Sequence, residues 1–277
     1  MLSYRHAFHA GNYADVIKHA TLVALIDYLA LKDKPFVYYE THAGAGNYDL
    51  ASAEATKTGE YQQGFASLAR ASGLPDCLQR YVSLIDTCQQ SNPGHYPGSP
   101  RIASLLARQQ DQLRLCELHS ADSQKLASLF SRDKRVQCFA HDGYEKIISL
   151  LPPACRRGLV MIDPSYEVKT EYLLLVRQLE KMVRRFATGI YAIWYPVVDE
   201  RRTEDMLDAI ANTGIKNIQR FELGLTRDHQ QPGMTATGML IINPPWTLKD
   251  TLGESLRWLS TQVYTGGYWR ADQWVDE

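Results

Sequence analysis

The sequence predicts an α/β fold built on a doubly wound, mostly parallel sheet, and three observations carry that prediction. Segments of strand character alternate with segments of helical period along the 277 residues, the pattern of a sheet with helices on both faces. A glycine-rich turn, Thr41-His42-Ala43-Gly44-Ala45-Gly46, follows the first strand directly. Acidic or glycine residues then recur at the carboxyl ends of successive strands, the edge where open α/β sheets bind ligands.

The first element is an amphipathic helix from about Ala14 to Leu31, with Val16, Ile17, Ala20, Leu22, Val23, Leu25, Ile26 and Leu29 on its apolar side and residues 32–35 closing it. The first strand is Phe36-Val37-Tyr38-Tyr39-Glu40. Further strands are expected over Gln112 to Glu117, Val136 to Ala140, Leu159 to Ile162, Ile190 to Tyr195, Ile218 to Leu225 and Gly238 to Ile242. That makes a seven-stranded sheet, with the last two strands forming a hairpin at its edge. Tyr48 to Gln110 is too long for an ordinary connection in such a fold. It reads as a small helical insertion after the first strand, helical over Gln79 to Gln89 and Pro100 to Gln109, with the Gly- and Pro-rich loop 91–100 between them. Residues 1–47 and 111–277 then form the main domain, and 48–110 is either a cover for the sheet edge or a lid or substrate-recognition subdomain.

Composition narrows the function classes. Thirty Lys and Arg face 31 Asp and Glu, a net charge of -1, so no global positive field advertises nucleic acid and any such surface must be a local patch. The five cysteines are scattered without a Cys-x-x-Cys pair and read as reduced structural thiols. No basic-then-apolar leader and no apolar run of about 18 residues is present, so a cytoplasmic protein with no membrane partner is expected.

The chemistry centres on Leu159-Val160-Met161-Ile162-Asp163-Pro164-Ser165-Tyr166, a buried strand that delivers an Asp-Pro-x-aromatic turn. An exocyclic ring amine is a poor nucleophile because its lone pair is delocalised. The Asp163 carboxylate and the Pro164 carbonyl suit its two hydrogens, biasing the nitrogen toward a pyramidal form, while Tyr166 stacks on the ring. The other reading of the segment is an ordinary turn opener. Asn243-Pro244-Pro245-Trp246 matches the same pattern by letter, but it follows the last strand rather than the fourth and is assigned to strand termination. Gly44-x-Gly46 lacks the third glycine of a dinucleotide fingerprint, and no Walker loop is present. Instead, Glu40 to Gly46 resembles the acidic-x-x-x-Gly-x-Gly turn of S-adenosylmethionine methyltransferases. Glu117, at the end of the second strand, suits a pair of ribose hydroxyls, and Asp142-Gly143, after the third, suits an adenine edge. Each of these carboxylates, taken alone, is more often a solvated loop residue, and it is their recurrence at successive strand ends that points to a site.

The resemblance extends further. The opening Met1-Leu2-Ser3-Tyr4-Arg5-His6-Ala7-Phe8-His9-Ala10-Gly11-Asn12-Tyr13-Ala14-Asp15-Val16-Ile17-Lys18-His19, the 41–46 turn, the Tyr96-Pro97-Gly98-Ser99-Pro100 loop and the Asp163 turn together resemble the RlmJ family of 23S ribosomal RNA adenine-2030 N6-methyltransferases. The resemblance implies a Rossmann-like class I fold, S-adenosylmethionine as methyl donor with S-adenosylhomocysteine as product, no metal, and a monomer acting on an adenine of 23S RNA, protein-free or in an early assembly intermediate. It implies a cofactor site of His19, His42, Gly44, Gly46, Ser99, Glu117, Asp142, Gly143 and Asp163, catalysis at Asp163, and Tyr4 at the RNA or target base. The family has Asp-Pro-Pro-Tyr, whereas Ser165 here replaces the second Pro and removes one ring constraint on the turn.

Beside the resemblance, an in-line methyl transfer needs neither a metal nor an activated Cys, and no ligand cluster is apparent in the sequence. His6, His9 and His19 read as core or capping histidines, or, with Arg5 and Lys18, as a local phosphate-binding face for RNA. Two rivals remain at this stage, a DNA adenine N6-methyltransferase using the same turn and a non-catalytic nucleic-acid binder on the same fold.

Overall fold

The computed structural model describes residues 5–226 and 233–277. After α1 (Tyr13–Ala30) and β1 (Val37–Glu40) come β2 (Asn47–Asp49), α2 (Ala53–Thr58), α3 (Phe65–Ala69), α4 (Asp76–Ser91), β3 (His95–Pro97) and α5 (Ser99–Leu106). The βα alternation then runs through β4 (Gln112–Cys116), α6 (Ser120–Leu129), β5 (Val136–Phe139), α7 (Gly143–Leu150), β6 (Gly158–Ile162), α8 (Glu171–Arg185), β7 (Ile190–Val197) and α9 (Glu200–Ala211). It closes with β8 (Ile218–Gly224), β9 (Ala236–Ile242), α10 (Leu248–Gln262) and β10 (Tyr268–Val275).

The main sheet has the order β10-β8-β9-β7-β6-β1-β4-β5. Strands β5, β4, β1, β6 and β7 are parallel, β9 runs antiparallel between β7 and β8, and β10 is antiparallel to β8. The seven expected strands are all present, and an eighth, β10, covers the edge where the β8–β9 hairpin was expected to end the sheet. Its sequence is half-exposed along its length, so it offers no apolar run to read. Leaving β1, the chain crosses to β4 and β5 on one side and then returns to β6 and β7 on the other. This reversal opens a crevice at the carboxyl ends of β1, β4 and β6.

Helix α1 departs from its expected amphipathic form. Asp15, Lys18, His19 and Thr21 are buried along with its apolar residues. The sheet covers one side, and α3, α4, α5 and α10 cover the other. Residues 48–110 therefore supply a second wall to the helix. Phe65, Leu68, Leu78, Tyr81 and Ile85 share one apolar core with Val16, Leu22, Val23 and Ile26. Tyr96, in what reads from sequence as loop, lies in β3 paired with β2 and is fully buried.

Asn243 sits at the end of antiparallel β9, and thus at the opposite edge of the sheet from the crevice. Its amide donates to the Ala187 carbonyl at 2.8 Å and the Gly189 carbonyl at 2.7 Å, tying off the strand as its assignment to strand termination requires.

Candidate active site

The crevice is built from strand ends. After β1 the chain turns over the sheet edge, with Thr41 N–H donating to the Met161 carbonyl at 3.1 Å and Ala43 N–H to the Cys116 carbonyl at 2.8 Å. Gly44 and Gly46 take the left-handed region, with φ of 60° and 75°. A Cβ on Gly44 would stand 2.3 Å from the Tyr48 hydroxyl, so glycine is required both by conformation and by space. Gly143 makes the tightest approach, since a Cβ there would lie 1.8 Å from the Thr41 carbonyl oxygen. Asp142 caps α7 by accepting from Glu145 N–H at 3.0 Å.

Glu117 follows β4. One oxygen accepts from Gly44 N–H at 2.8 Å and the other from His119 N–H at 2.6 Å, and burial pushes its carboxyl upward. An ionised carboxylate has about four acceptor positions, so each oxygen keeps room for a hydroxyl. Ser99, brought to the cleft by the Gly98 turn, donates its hydroxyl to Glu40. Glu40 is fully buried, and its Oε2 has no hydrogen-bond partner among the described residues. Burial, with the Asp163 charge adding to it against Ser99, Tyr38 and Lys18, pushes Glu40 up to about 8. Its neutral form is therefore favoured by folding. The associated stability is fully present below the ordinary value of 4.5 and is lost as pH rises through about 8. Glu40→Gln is expected to remove that loss, so its melting temperature should gain on the wild type between pH 5 and pH 9; parallel melting curves across that range would contradict this.

Asp163, at the end of β6, is met by a cation from α1. Lys18 Nζ lies 2.7 Å from Asp163 Oδ2 and 2.9 Å from Asp15 Oδ1, with the Trp194 ring centroid at 5.6 Å. Lys18 is 4% exposed, so the surface phosphate-binding role expected for it is wrong: its charge is spent on two carboxylates inside the cleft. Arg5 is paired with Glu54 at 3.3 Å, and His6 Nε2 lies 3.0 Å from Asp15 Oδ2 with its ring edge-on to Tyr48. His6 thus faces the cleft, Arg5 is held by the insertion, and Tyr4 lies outside the described residues. Tyr166 has a φ of 57°, unusual for an aromatic residue. It is held there by its hydroxyl, which donates to the Trp194 carbonyl at 2.7 Å, and by packing on the Tyr172 and Trp194 rings. Ser165 partly replaces the missing proline constraint with a long contact from its hydroxyl to Glu171, at 3.4 Å.

Two lobes meet at this turn. The smaller, about 330 Å³, is lined by His42, Gly44, Ser99, Glu117, Gly143 and Pro164 among others; the larger, about 910 Å³, by Tyr13, Tyr166, Tyr172, Trp194 and Tyr264 among others. His6, Lys18, Asp163 and Ser165 line both. His42 is on the smaller lobe, its imidazole pushed down to about 4 by burial against the opposing Asp163 and Asp142 charges, so it is neutral near pH 7. His19 lines neither lobe. It is buried behind Lys18, its Nδ1 2.7 Å from the Tyr96 hydroxyl, and burial pushes it down to about 3. Its Nε2 has no hydrogen-bond partner among the described residues and is 3.8 Å from Asp15. Gly46 also stands back from the lobes, packed on Leu126 and Leu129, and shapes the turn rather than the wall.

Sequence reasoning did not single out Asp15 or Trp194. The legible signal was Asp15-x-x-Lys18 inside an otherwise apolar helical run, where two opposite charges a turn apart are more easily buried together than singly.

Small-molecule sites commonly enclose about 300–1,000 Å³, and the smaller lobe offers a cradle narrowed by glycines, a carboxylate with spare acceptor capacity and a neutral imidazole. These features fit a nucleoside joined to an amino acid. Fold and cleft together define the class, a Rossmann-like class I methyltransferase that takes its methyl group from S-adenosylmethionine. The family model described as Ribosomal RNA large subunit methyltransferase D, RlmJ, matches residues 33–275. The chain is 46% identical over 268 residues to Ribosomal RNA large subunit methyltransferase J of Escherichia coli, covering 96% of both chains. It is 46% identical over 279 residues to the protein of the same name from Haemophilus influenzae, covering 99% of both. A crystal structure of a Legionella pneumophila protein, 40% identical, superposes with a TM-score of 0.87 over 96% of this chain and 98% of that one. The chain belongs to the RlmJ family of ribosomal RNA large-subunit methyltransferases.

Proposed function

We propose that this methyltransferase modifies N6 of one adenine, that at position 2030 of 23S ribosomal RNA, acting as a cytoplasmic monomer on protein-free RNA or an early assembly intermediate. The observation that carries the reading is the Asp163-Pro164 turn at the junction of the two lobes, with Lys18 Nζ 2.7 Å from Asp163 Oδ2. S-adenosylmethionine, when bound, supplies an electrophilic methyl group on a sulfonium sulfur. His42, Ser99, Glu117 and the Asp142-Gly143 turn would hold it in the smaller lobe, with His19 Nε2 as a buried donor or acceptor behind them.

The target adenine enters the larger lobe. Lys18 fixes one oxygen of Asp163, while Oδ1 has no donor among the described residues and accepts one N6 hydrogen. The Pro164 carbonyl accepts the other, and the lone pair is freed toward the smaller lobe. Once N6 is methylated its proton is far more acidic, and Asp163 Oδ1 takes it. Tyr166 and Trp194 offer rings for the base. The insertion 48–110 acts here as a fixed wall that anchors the N-terminal segment through Arg5–Glu54 and His9–Glu60 rather than as a lid.

Labelled methyl transfer to 23S RNA and to duplex DNA in competition, followed by digestion to nucleosides, tests the reading. N6-methyladenosine in RNA alone is expected; label in DNA would select a DNA enzyme, and label in neither would favour a binding role.

A further inference from the structure

The larger lobe is oversized for its proposed occupant. At about 910 Å³ it is nearly three times the roughly 330 Å³ lobe that suits a whole nucleoside joined to an amino acid. One adenine placed against Asp163, Tyr166 and Trp194 leaves the far part unfilled. That part has its own aromatic wall, Tyr13 from the start of α1 and Tyr264 after α10, with ring centroids 6.0 Å apart in an edge-on pair. Both rings are fixed in place. Tyr13 Oη donates to the Met234 carbonyl at 2.9 Å and Tyr264 Oη to the Gln63 carbonyl at 3.0 Å. These tethers orient the rings at little further entropic cost to a ligand.

Tyr13 lies five residues before Lys18 on the same helix, roughly 7.5 Å along its axis at 1.5 Å per residue. That is about twice the ~3.4 Å between stacked bases of one strand. The charge of this part also selects its occupant. Asp199 and Glu60 line it, and each is matched by a neighbouring basic group, Arg202 at 3.1 Å from Asp199 and His9 at 3.0 Å from Glu60. With these basic groups already engaged by carboxylates, the wall offers phosphate little and suits the neutral face and edge of a base.

We propose that the Tyr13–Tyr264 wall seats a second nucleobase, that of a nucleotide adjacent to the target adenine, so that two unstacked nucleotides of one strand are engaged with their phosphates outside the lobe. The inference rests on the functional reading above and adds a sequence-tolerant contact beside the methylated base. Base–aromatic stacking of this kind is worth about 1–3 kcal/mol per base, so losing the base should cost about fivefold or more in kcat/KM.

The test uses an RNA fragment that the wild-type enzyme methylates, alongside two versions carrying an abasic nucleotide on the 5′ or the 3′ side of the target. One of the two is expected to lower wild-type kcat/KM about fivefold or more. In Tyr264→Ala the same abasic site should cost less than about twofold, and in Tyr264→Phe, which keeps the ring, the full cost should return. Because each ratio is internal to one variant, general damage to the protein cancels. A wild-type enzyme indifferent to both abasic sites, or a Tyr264→Ala variant that keeps the whole penalty, overturns the proposal while leaving N6-methylation intact. If no fragment of 23S RNA is methylated, the functional reading fails and takes this proposal with it.

Discussion

Asp163→Ala is expected to lower kcat/KM for methyl transfer by about 10³-fold, the range seen when a positioned acceptor or donor at a reacting centre is removed. Most of the loss should fall on kcat, because Asp163 acts on N6 as the new bond forms rather than on the remainder of the RNA. The fold should persist, since Lys18 keeps Asp15 as a partner at 2.9 Å when Asp163 is gone. Asp163→Asn is the more discriminating variant. It preserves an acceptor oxygen but cannot take the proton and has no charge for Lys18, so intermediate turnover is expected. Single-turnover rates with saturating RNA, together with melting curves, check both variants; near-normal turnover in Asp163→Ala would remove this residue from the chemistry.

Lys18→Met is expected to act on stability as well as on rate. It removes the cation standing between Asp15, 1% exposed, and Asp163. Breaking one partner out of a buried ion cluster costs about 3–5 kcal/mol, equivalent to a fall in melting temperature of roughly 10 °C for a chain of this size. Burial would push Asp15 upward, but the neighbouring His6 and Lys18 outweigh it and hold its carboxyl well below the usual range. A depressed carboxyl contributes stability that is present above the unfolded value near 3.8 and lost as pH falls through the folded value. The deficit of Lys18→Met should therefore be large at neutral pH and shrink on acidification toward and below that range. A deficit that stays constant from pH 7 to pH 3 would show that Lys18 acts by packing alone.

Much of this was legible in the sequence, for reasons particular residues make clear. β1, β6 and β7 are buried on both faces, so Val37–Glu40, Gly158–Ile162 and Ile190–Val197 read as continuous apolar or aromatic runs. The Asp163 turn and the Gly44, Glu117 and Asp142 positions followed from counting strand ends. β10 did not follow, because an edge strand with half its side chains in water has the composition of a loop. The burial of α1 on all sides was hidden as well, since its second cover comes from Phe65, Leu78 and Tyr81, far along the chain. Lys18 is the clearest case. A lysine near three histidines and an arginine looks like part of a phosphate-binding patch, and one of its two carboxylate partners, Asp163, is 145 residues away. The protonation of Glu40 is likewise a property of the closed fold: the residue was visible as the acid of a glycine turn, but its shift needs the burial that only packing supplies.

The most direct test is nucleotide-resolution mapping of N6-methyladenosine in protein-free 23S RNA after incubation with S-adenosylmethionine and either the wild-type enzyme or Asp163→Ala. A single modified adenine, at position 2030, present with the wild type and missing with the variant, is the expected result. Modification at other positions, on a different atom, or undiminished in the variant would contradict the assignment of this cleft as an adenine N6-methylation site centred on Asp163.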